Sequence, residues 1–523
     1  MTKRLIYLTI VLCFMAVPLV IFAGGGKKPP EPETKIEYIE KVVEVEKAPE
    51  KVNFKGRTLT VLVNDTHVQV VDAWQPLWER ETGGKINVIL VPYAGISDKL
   101  WLDFRTKTGT IDCAAIPSSW LGDIAGGGHV VEVDPLIEKW GYPDWDDTLP
   151  AIKVITGWAG KTMSFPYDGD NHMTYYRKDA LEVPEYQQKF KAKYGYSYHM
   201  PPKDWDEVRD IAEFFNGWDW DKDGEIEYGV AFIAQQKTQA MWEVLNLIAQ
   251  YATEAGTPSN TRSNIFFNTD TMEPLCNTPG WIEAFRRIGE LTKWAPPGLL
   301  GYGYSEFRYA YVSGLACLGF DWGDTGIMEQ YPDVYGSKVK GKLGYGPLPG
   351  AKKYWDHVNK RWVEKEHQVN FLNFGGWVWI ISKYSKNIDM SYQWITYITG
   401  PEHSLLDACG IHGYTGVNPW RKSHFDPAVL GLWKRGGWDE EAAKGYAKGI
   451  LDILTDPYAV TDLRIPGGEK YYDALDMRLA EVLAGKSTAE KACKALYNDW
   501  VRITDEYGKD SQKKYYRESL GLK

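Results

Sequence analysis

Arg57–Trp120 reads RTLTVLVNDTHVQVVDAWQPLWERETGGKINVILVPYAGISDKLWLDFRTKTGTIDCAAIPSSW, and its apolar period alternates between that of a strand and that of a helix. Thr58–Val63 is a β-branched, apolar run that stops at Asn64-Asp65, a first strand. Val70, Val71, Trp74, Leu77 and Trp78 then recur at helical spacing until Gly83-Gly84 breaks the pattern. Ile86–Val91 is a second strand, Asp98–Lys107 a second helical stretch, and Ile111–Ile116 a third strand ending at Pro117-Ser118-Ser119-Trp120. Strands alternating with helices predict parallel βαβ units and an α/β fold. Such sheets bind ligands in loops at the carboxyl ends of their strands, here Asn64-Asp65-Thr66-His67 and Ser118-Ser119-Trp120.

Upstream, Lys3 and Arg4 precede an uncharged apolar run, Leu5–Ala23, followed by Gly24-Gly25-Gly26. This is the layout of a secretory signal cleaved after Ala23. The run approaches the length of a membrane span, so the alternative is an uncleaved anchor that tethers the protein to the membrane. Residues 24–56 are rich in Lys, Glu and Pro and read as a tether. The expected location is periplasmic or cell-surface. Five cysteines follow the signal (Cys113, Cys276, Cys317, Cys409 and Cys493) without a CxxC pair, which argues against a zinc site and for buried small hydrophobes.

Downstream, helical patterns occupy Trp205–Phe215, Thr238–Tyr251 and Trp281–Trp294, then strand-like runs Leu315–Phe320 and Gly375–Ile381, then helical patterns at 389–399, 440–454 and 486–506. The whole chain of 523 residues has a formal charge of −10, so a basic nucleic-acid surface is not expected. Its 23 tryptophans and 33 tyrosines suit neutral ligands with flat apolar faces, sugars above all. Phosphate-loop, zinc-protease and nucleophile-elbow motifs are absent.

Five motifs occur in an informative order. Phe165-Pro166-Tyr167-Asp168-Gly169-Asp170-Asn171-His172 is followed by Pro201-Pro202-Lys203-Asp204-Trp205, by Phe307–Ala316 with Asp321-Trp322-Gly323-Asp324, by Gly344–Gly350, and by Phe374-Gly375-Gly376-Trp377 with Ile381–Asn387. Together they resemble the crossovers and turns of extracellular solute-binding proteins (family 1, sugar-type) of bacterial ABC transporters, over about residues 57–505. The resemblance implies a two-lobed, Venus-flytrap periplasmic-binding fold of type II, similar to maltose-binding proteins. It implies lobe 1 from 57–166 and 315–375, and lobe 2 from 167–314 and 376–523. It also implies a monomeric receptor, not an enzyme, that closes on a sugar or oligosaccharide and presents it to permease subunits.

Pyranose rings stack on aromatic faces, and their hydroxyls pair with carboxylates and amides at ~1.5–3 kcal/mol per charge-assisted bond. On that basis the candidate ligand set is Asp65, Ser119, Trp120, Tyr167, Asp168, Asp170, Asn171, Trp242, Trp322, Asp324, Gly376 and Trp377. The rival is a secreted glycoside hydrolase using Asp168/Asp170 or Asp321/Asp324. Those pairs sit two and three residues apart, which does not place them across a scissile bond.

Asp219-Trp220-Asp221-Lys222-Asp223-Gly224-Glu225-Ile226-Glu227 is a DxDxDG loop. Asp219, Asp221 and Asp223 can converge on a hard cation, Glu225 can offer its backbone carbonyl, and Glu227 its carboxylate directly or through water. Val230 stands at position 12, and Tyr228–Ala231 reads as strand, so this is not a paired calcium switch. The loop (219–230) resembles the lone structural Ca²⁺ loop of galactose-type binding proteins, with its last carboxylate supplied from elsewhere in the chain.

Overall fold

The computed structural model describes residues 52–257 and 264–522. The predicted signal and residues 24–51 of the predicted tether lie outside them. The elements below all belong to one compact unit, Lys55–Lys523.

The opening alternation folds as the sequence requires. Strand Thr58–Asn64 pairs in parallel with Lys85–Val91 and with Cys113–Pro117. Between the first two runs helix Val68–Thr82, which buries Val70, Val71, Trp74 and Trp78 and is stopped by Gly83 at φ 73°, whose N–H donates to the Glu79 carbonyl. The third strand starts two residues later than predicted. Asp112 turns its carboxylate back to accept the Thr60 N–H at 2.8 Å, so Ile111-Asp112 is a junction.

Two more strands complete this sheet: Trp377–Ile381 lies antiparallel to Cys113–Pro117, and Phe165–Pro166 lies antiparallel to Trp377–Ile381. A second sheet has the order Leu343–Gly346, Met173–Arg177, Ala316–Asp321, Tyr228–Ala231, with only the last pair parallel. The chain passes from the first sheet to the second through Tyr167–His172. It returns, after an exposed hairpin of Ala351–Asp356 and Arg361–His367, through Phe374-Gly375-Gly376.

These sheet memberships correct two lobe boundaries. Ala316–Asp321, assigned by sequence to the first lobe, is an inner strand of the second sheet, and Trp377–Ile381, assigned to the second lobe, is an inner strand of the first. Both are buried throughout. A strand covered on both faces reads as a continuous apolar run, and such a run carries no mark of which sheet it joins. Helix Ile388–Ile398 follows its strand to the first lobe, where Trp394 meets Trp78 edge-to-face at 5.9 Å.

The five described cysteines are free and buried. Trp78, Trp220, Trp242, Trp281, Trp322, Trp379, Trp394, Trp420 and Trp500 are among the largest fully buried side chains, so much of the aromatic excess is core.

The crossover is packed without tolerance. A Cβ on Gly169 would lie 1.9 Å from the Pro419 carbonyl oxygen. Gly169→Ala is therefore expected to cost ~1–3 kcal/mol, read as a lower chemical-denaturation midpoint; an unchanged midpoint would contradict this packing.

Candidate functional site

The carboxyl ends of the first sheet, the Tyr167–His172 crossover and the loop after Ala316–Asp321 line a cleft, open on one side, with a cavity volume of about 50 Å³. Its apolar walls are the rings of Tyr93, Trp322, Phe374 and Trp377, with Tyr304 and Tyr414 at the second lobe's side. Phe374 packs on Trp322 and Trp377, each at 5.7 Å between centroids, and Tyr93 meets Trp377 edge-on at 6.2 Å.

The polar wall is a carboxylate cluster around one guanidinium. Arg308 Nε donates to Asp321 Oδ2 at 2.8 Å, and Arg308 Nη2 lies 2.8 Å from Asp324 Oδ2. Tyr414 donates its hydroxyl to Asp324 Oδ1 at 2.6 Å, and Thr325 donates to Asp321 Oδ2 at 2.6 Å. Asp170 lines the cavity with a single weak donor, Asn418 Nδ2 at 3.4 Å. Behind it, Asp168 Oδ1 accepts the Asn418 backbone N–H at 2.6 Å, while its Oδ2 is buried without a partner. Burial, then the neighbouring carboxylates, pushes Asp170 well above the ordinary carboxylate range. Burial does the same to Asp168, opposed by the Asn418 N–H.

The sequence-selected residues divide. Asp170, Trp322, Asp324 and Trp377 line the cavity; Asp65, Ser119, Trp120, Tyr167, Asp168, Asn171, Trp242 and Gly376 do not. Asp65 is exposed, and its neighbours Asn64 and Thr66 face the cavity, joined by Thr66 N–H to Asn64 Oδ1 at 2.9 Å. Trp242 donates its indole N–H to Asp462 at 3.0 Å, and Trp120 donates to Glu469. Tyr167 is buried between His67 and Trp379, Ser119 is buried, and Asn171 donates to the Gly169 carbonyl at 2.8 Å. Gly376, at φ 79°, lets the return passage approach the crossover, since a Cβ there would lie 2.6 Å from the Asp168 carbonyl oxygen.

Arg308, Tyr93, Gln239, Tyr304, Phe374, Tyr414 and Gly416 also line the cavity and were not selected from sequence. Arg308 and Phe374 stand inside motifs that the sequence does display. Gln239 holds a left-handed φ of 80°, and its segment reads as the start of a helix.

In the DxDxDG loop, carboxylate oxygens of Asp219, Asp221, Asp223 and Glu227 lie within 4.8 Å of one another. Gly224 takes φ 95° and donates its N–H to Asp219 Oδ2 at 3.1 Å. Asp219 Oδ1 is buried without a donor, and Glu227 is buried, accepting the Trp220 N–H at 3.0 Å. Burial, then Asp221, pushes Glu227 up to about 7. Arg177, stacked over Trp220 at 4.7 Å, pairs with Asp221 at 2.9 Å. Glu225 lies outside the carboxylate cluster; its N–H donates to Asp223 Oδ1 at 2.9 Å.

Residues 64–404 match the sequence profile described as bacterial extracellular solute-binding protein. The chain belongs to that family. Among its relatives, the probable ABC transporter-binding protein of Deinococcus radiodurans is 23% identical over 82% of this chain and 88% of its own. The sn-glycerol-3-phosphate-binding periplasmic protein UgpB of Rhizobium meliloti is 27% identical over 48% of this chain and 54% of its own. The maltose-bound MalE3 structure of T. maritima superposes with a TM-score of 0.64 at 17% identity, covering 86% of this chain and 100% of that one. The fold is thus the two-lobed, type II periplasmic-binding architecture, and the protein is an ABC-transporter solute-binding receptor, not an enzyme. The family match lends no support to a glycoside hydrolase. That reading also lacks a physical basis here, because Asp321 is held by Arg308 and Thr325 and Asp168 by the Asn418 backbone. Among the described residues no helix is long and apolar enough to cross a membrane.

Beneath the cleft, His67 is fully buried, edge-on to Tyr167 at 4.9 Å and to Trp377 at 4.8 Å. Burial pushes it down to about 3. Its folded value lies below the unfolded one of ~6.5, so its contribution to stability is present above that pH and is lost as pH falls towards 3. His67→Gln should lose less stability than the wild type between pH 6.5 and pH 4, measured as denaturation midpoints. Parallel pH profiles would contradict the buried, neutral imidazole.

Proposed function

We propose that this receptor captures a sugar or polyol in the interlobe cleft and delivers it to an ABC permease. The observation that carries the reading is the pairing of an aromatic wall with a carboxylate wall where both crossovers meet. Tyr93, Trp322, Phe374 and Trp377 offer faces to C–H surfaces, while Asp170 and Asp324 offer acceptors to hydroxyls. Ligand favours the closed arrangement by touching both lobes at once, and the permease recognises that state. Protein exported by the proposed N-terminal signal would work as a monomer outside the cytoplasmic membrane. The maltose held by one structural neighbour and the glycerol phosphate named in a relative support polyhydroxy ligands as a class.

The test is a thermal-shift screen against sugars and polyols, with thin-layer analysis of the same mixtures. A shift without new products fits a receptor; release of shorter sugars would overturn it. Trp377→Ala should weaken binding of the best ligand at least tenfold while leaving the circular dichroism spectrum intact. Unchanged affinity would remove that ring from the site.

We also propose a structural Ca²⁺ in the 219–227 loop. The donors suit a hard cation: four clustered carboxylates, one with an orphaned buried oxygen, and no nitrogen or sulfur ligand among them. Bound calcium would offset the burial, and then the Asp221 charge, that raise Glu227, and would fix the loop against Arg177 and the second sheet. EDTA should lower the melting temperature and excess Ca²⁺ restore it, with Asp219→Asn insensitive to both. A wild-type melting temperature indifferent to EDTA and Ca²⁺ would contradict the site.

A further inference from the structure

The receptor reading leaves open what charge the ligand carries, and relatives of this chain span neutral and phosphorylated compounds in their names. The cleft itself is informative. Among the described residues lining it, Arg308 is the one cation, and the Nε–Nη2 edge of its guanidinium is taken by carboxyl groups. Asp321 accepts from Nε at 2.8 Å and from Nη2 at 3.3 Å, and Asp324 lies 2.8 Å from Nη2. Counting Asp168, Asp170, Asp321 and Asp324 against Arg308 gives four carboxyl groups to one guanidinium. Asp321 and Asp324 both hold Arg308, so the one guanidinium of the cleft is already matched by two carboxyl groups before any ligand enters.

On the opposite wall, Trp120 and Trp242, beside Tyr93 and Phe374, donate to Glu469 and Asp462, carboxyl groups that burial pushes up to about 7, with Arg464 as the charge beside Asp462. Burial first, and then the carboxyl groups of Glu469, Asp462 and Asp473, pushes the Tyr93 hydroxyl well up. A phosphate ester placed here would lose its water, meet acceptors in place of donors, and approach buried carboxylates. A hydroxyl or an ammonium group would instead donate to Asp170, whose one donor in the protein is 3.4 Å away.

We infer that the cleft selects uncharged or cationic polyhydroxy ligands and excludes phosphorylated and carboxylated ones, with Asp170 and Asp324 as the specificity-determining side chains. The inference rests on the sugar or polyol reading and narrows it.

The experiment measures, by calorimetry at pH 7.5 on the purified full chain, matched pairs of a neutral compound and its phosphate: glycerol with sn-glycerol 3-phosphate, mannitol with mannitol 1-phosphate, glucose with glucose 6-phosphate, maltose with maltose 1-phosphate. Glucosamine supplies the cationic arm. The expected result is that the tightest neutral ligand binds at least tenfold more tightly than its phosphate. In Asp170→Asn and Asp324→Asn that gap should shrink at least threefold. A phosphate ester that binds as tightly as its parent, or that binds when no neutral compound does, overturns the charge selection and leaves the receptor reading standing. A panel in which nothing binds removes the sugar or polyol reading and this inference with it. The wild-type comparison decides the matter even where a variant fails to fold.

Discussion

Three passages of chain cross at one point in this protein, and each has a glycine where a side chain will not fit. Gly169 passes under the Pro419 carbonyl, Gly376 passes over the Asp168 carbonyl, and a Cβ on Gly323 would lie 1.9 Å from Asn418 Oδ1. This close crossing fixes everything around it. It turns Asp168 and Asp170 inward, carries Trp377 to the mouth of the first sheet, and brings Asn418 between the crossover and Tyr446, which donates to its Oδ1. Where backbone meets backbone, at Gly169 and Gly376, the junction can bend as a hinge only through its few φ/ψ angles.

The junction also explains the charge of the cleft. Asp168 and Asp170 flank a glycine that cannot move, so their carboxyl groups are buried whatever that costs. Arg308 offsets part of the field, but Asp321 and Asp324 hold it. What remains is a surface of acceptors next to four aromatic rings, chemistry that complements hydroxyl donors and C–H faces. Unpaired buried acceptors of this kind are costly in an empty protein and are satisfied by a ligand that donates to them.

Much of this was legible in the sequence, and the failures have physical causes. The βαβ opening was readable because helix and strand periods differ and because glycine ends Val68–Thr82. The family motifs located both crossovers. Which sheet Ala316–Asp321 and Trp377–Ile381 join was not readable, since both are buried throughout, apolar but for the terminal Asp321, and their partners lie far away in the chain. Within the site, the Asn64–His67 loop was identified but Asp65 points to solvent, while the residues on either side face the cavity. Trp242 and Trp120 looked like ligand platforms, yet their indole N–H groups meet acids 220 and 349 residues further on. Local spacing cannot reveal such partners.

The central claim is that two lobes close about this glycine junction when ligand bridges them. The most direct measurement is the distance between spin labels at two exposed positions, Val154→Cys beside the first sheet's crossover and Tyr309→Cys in the helix leading to Ala316–Asp321, with the five cysteines among the described residues buried and Cys13 replaced by Ser. The account predicts a broad or longer distance distribution without ligand, which shortens and narrows on saturation with the tightest neutral ligand. Saturation confirmed by calorimetry with an unchanged distribution would contradict it.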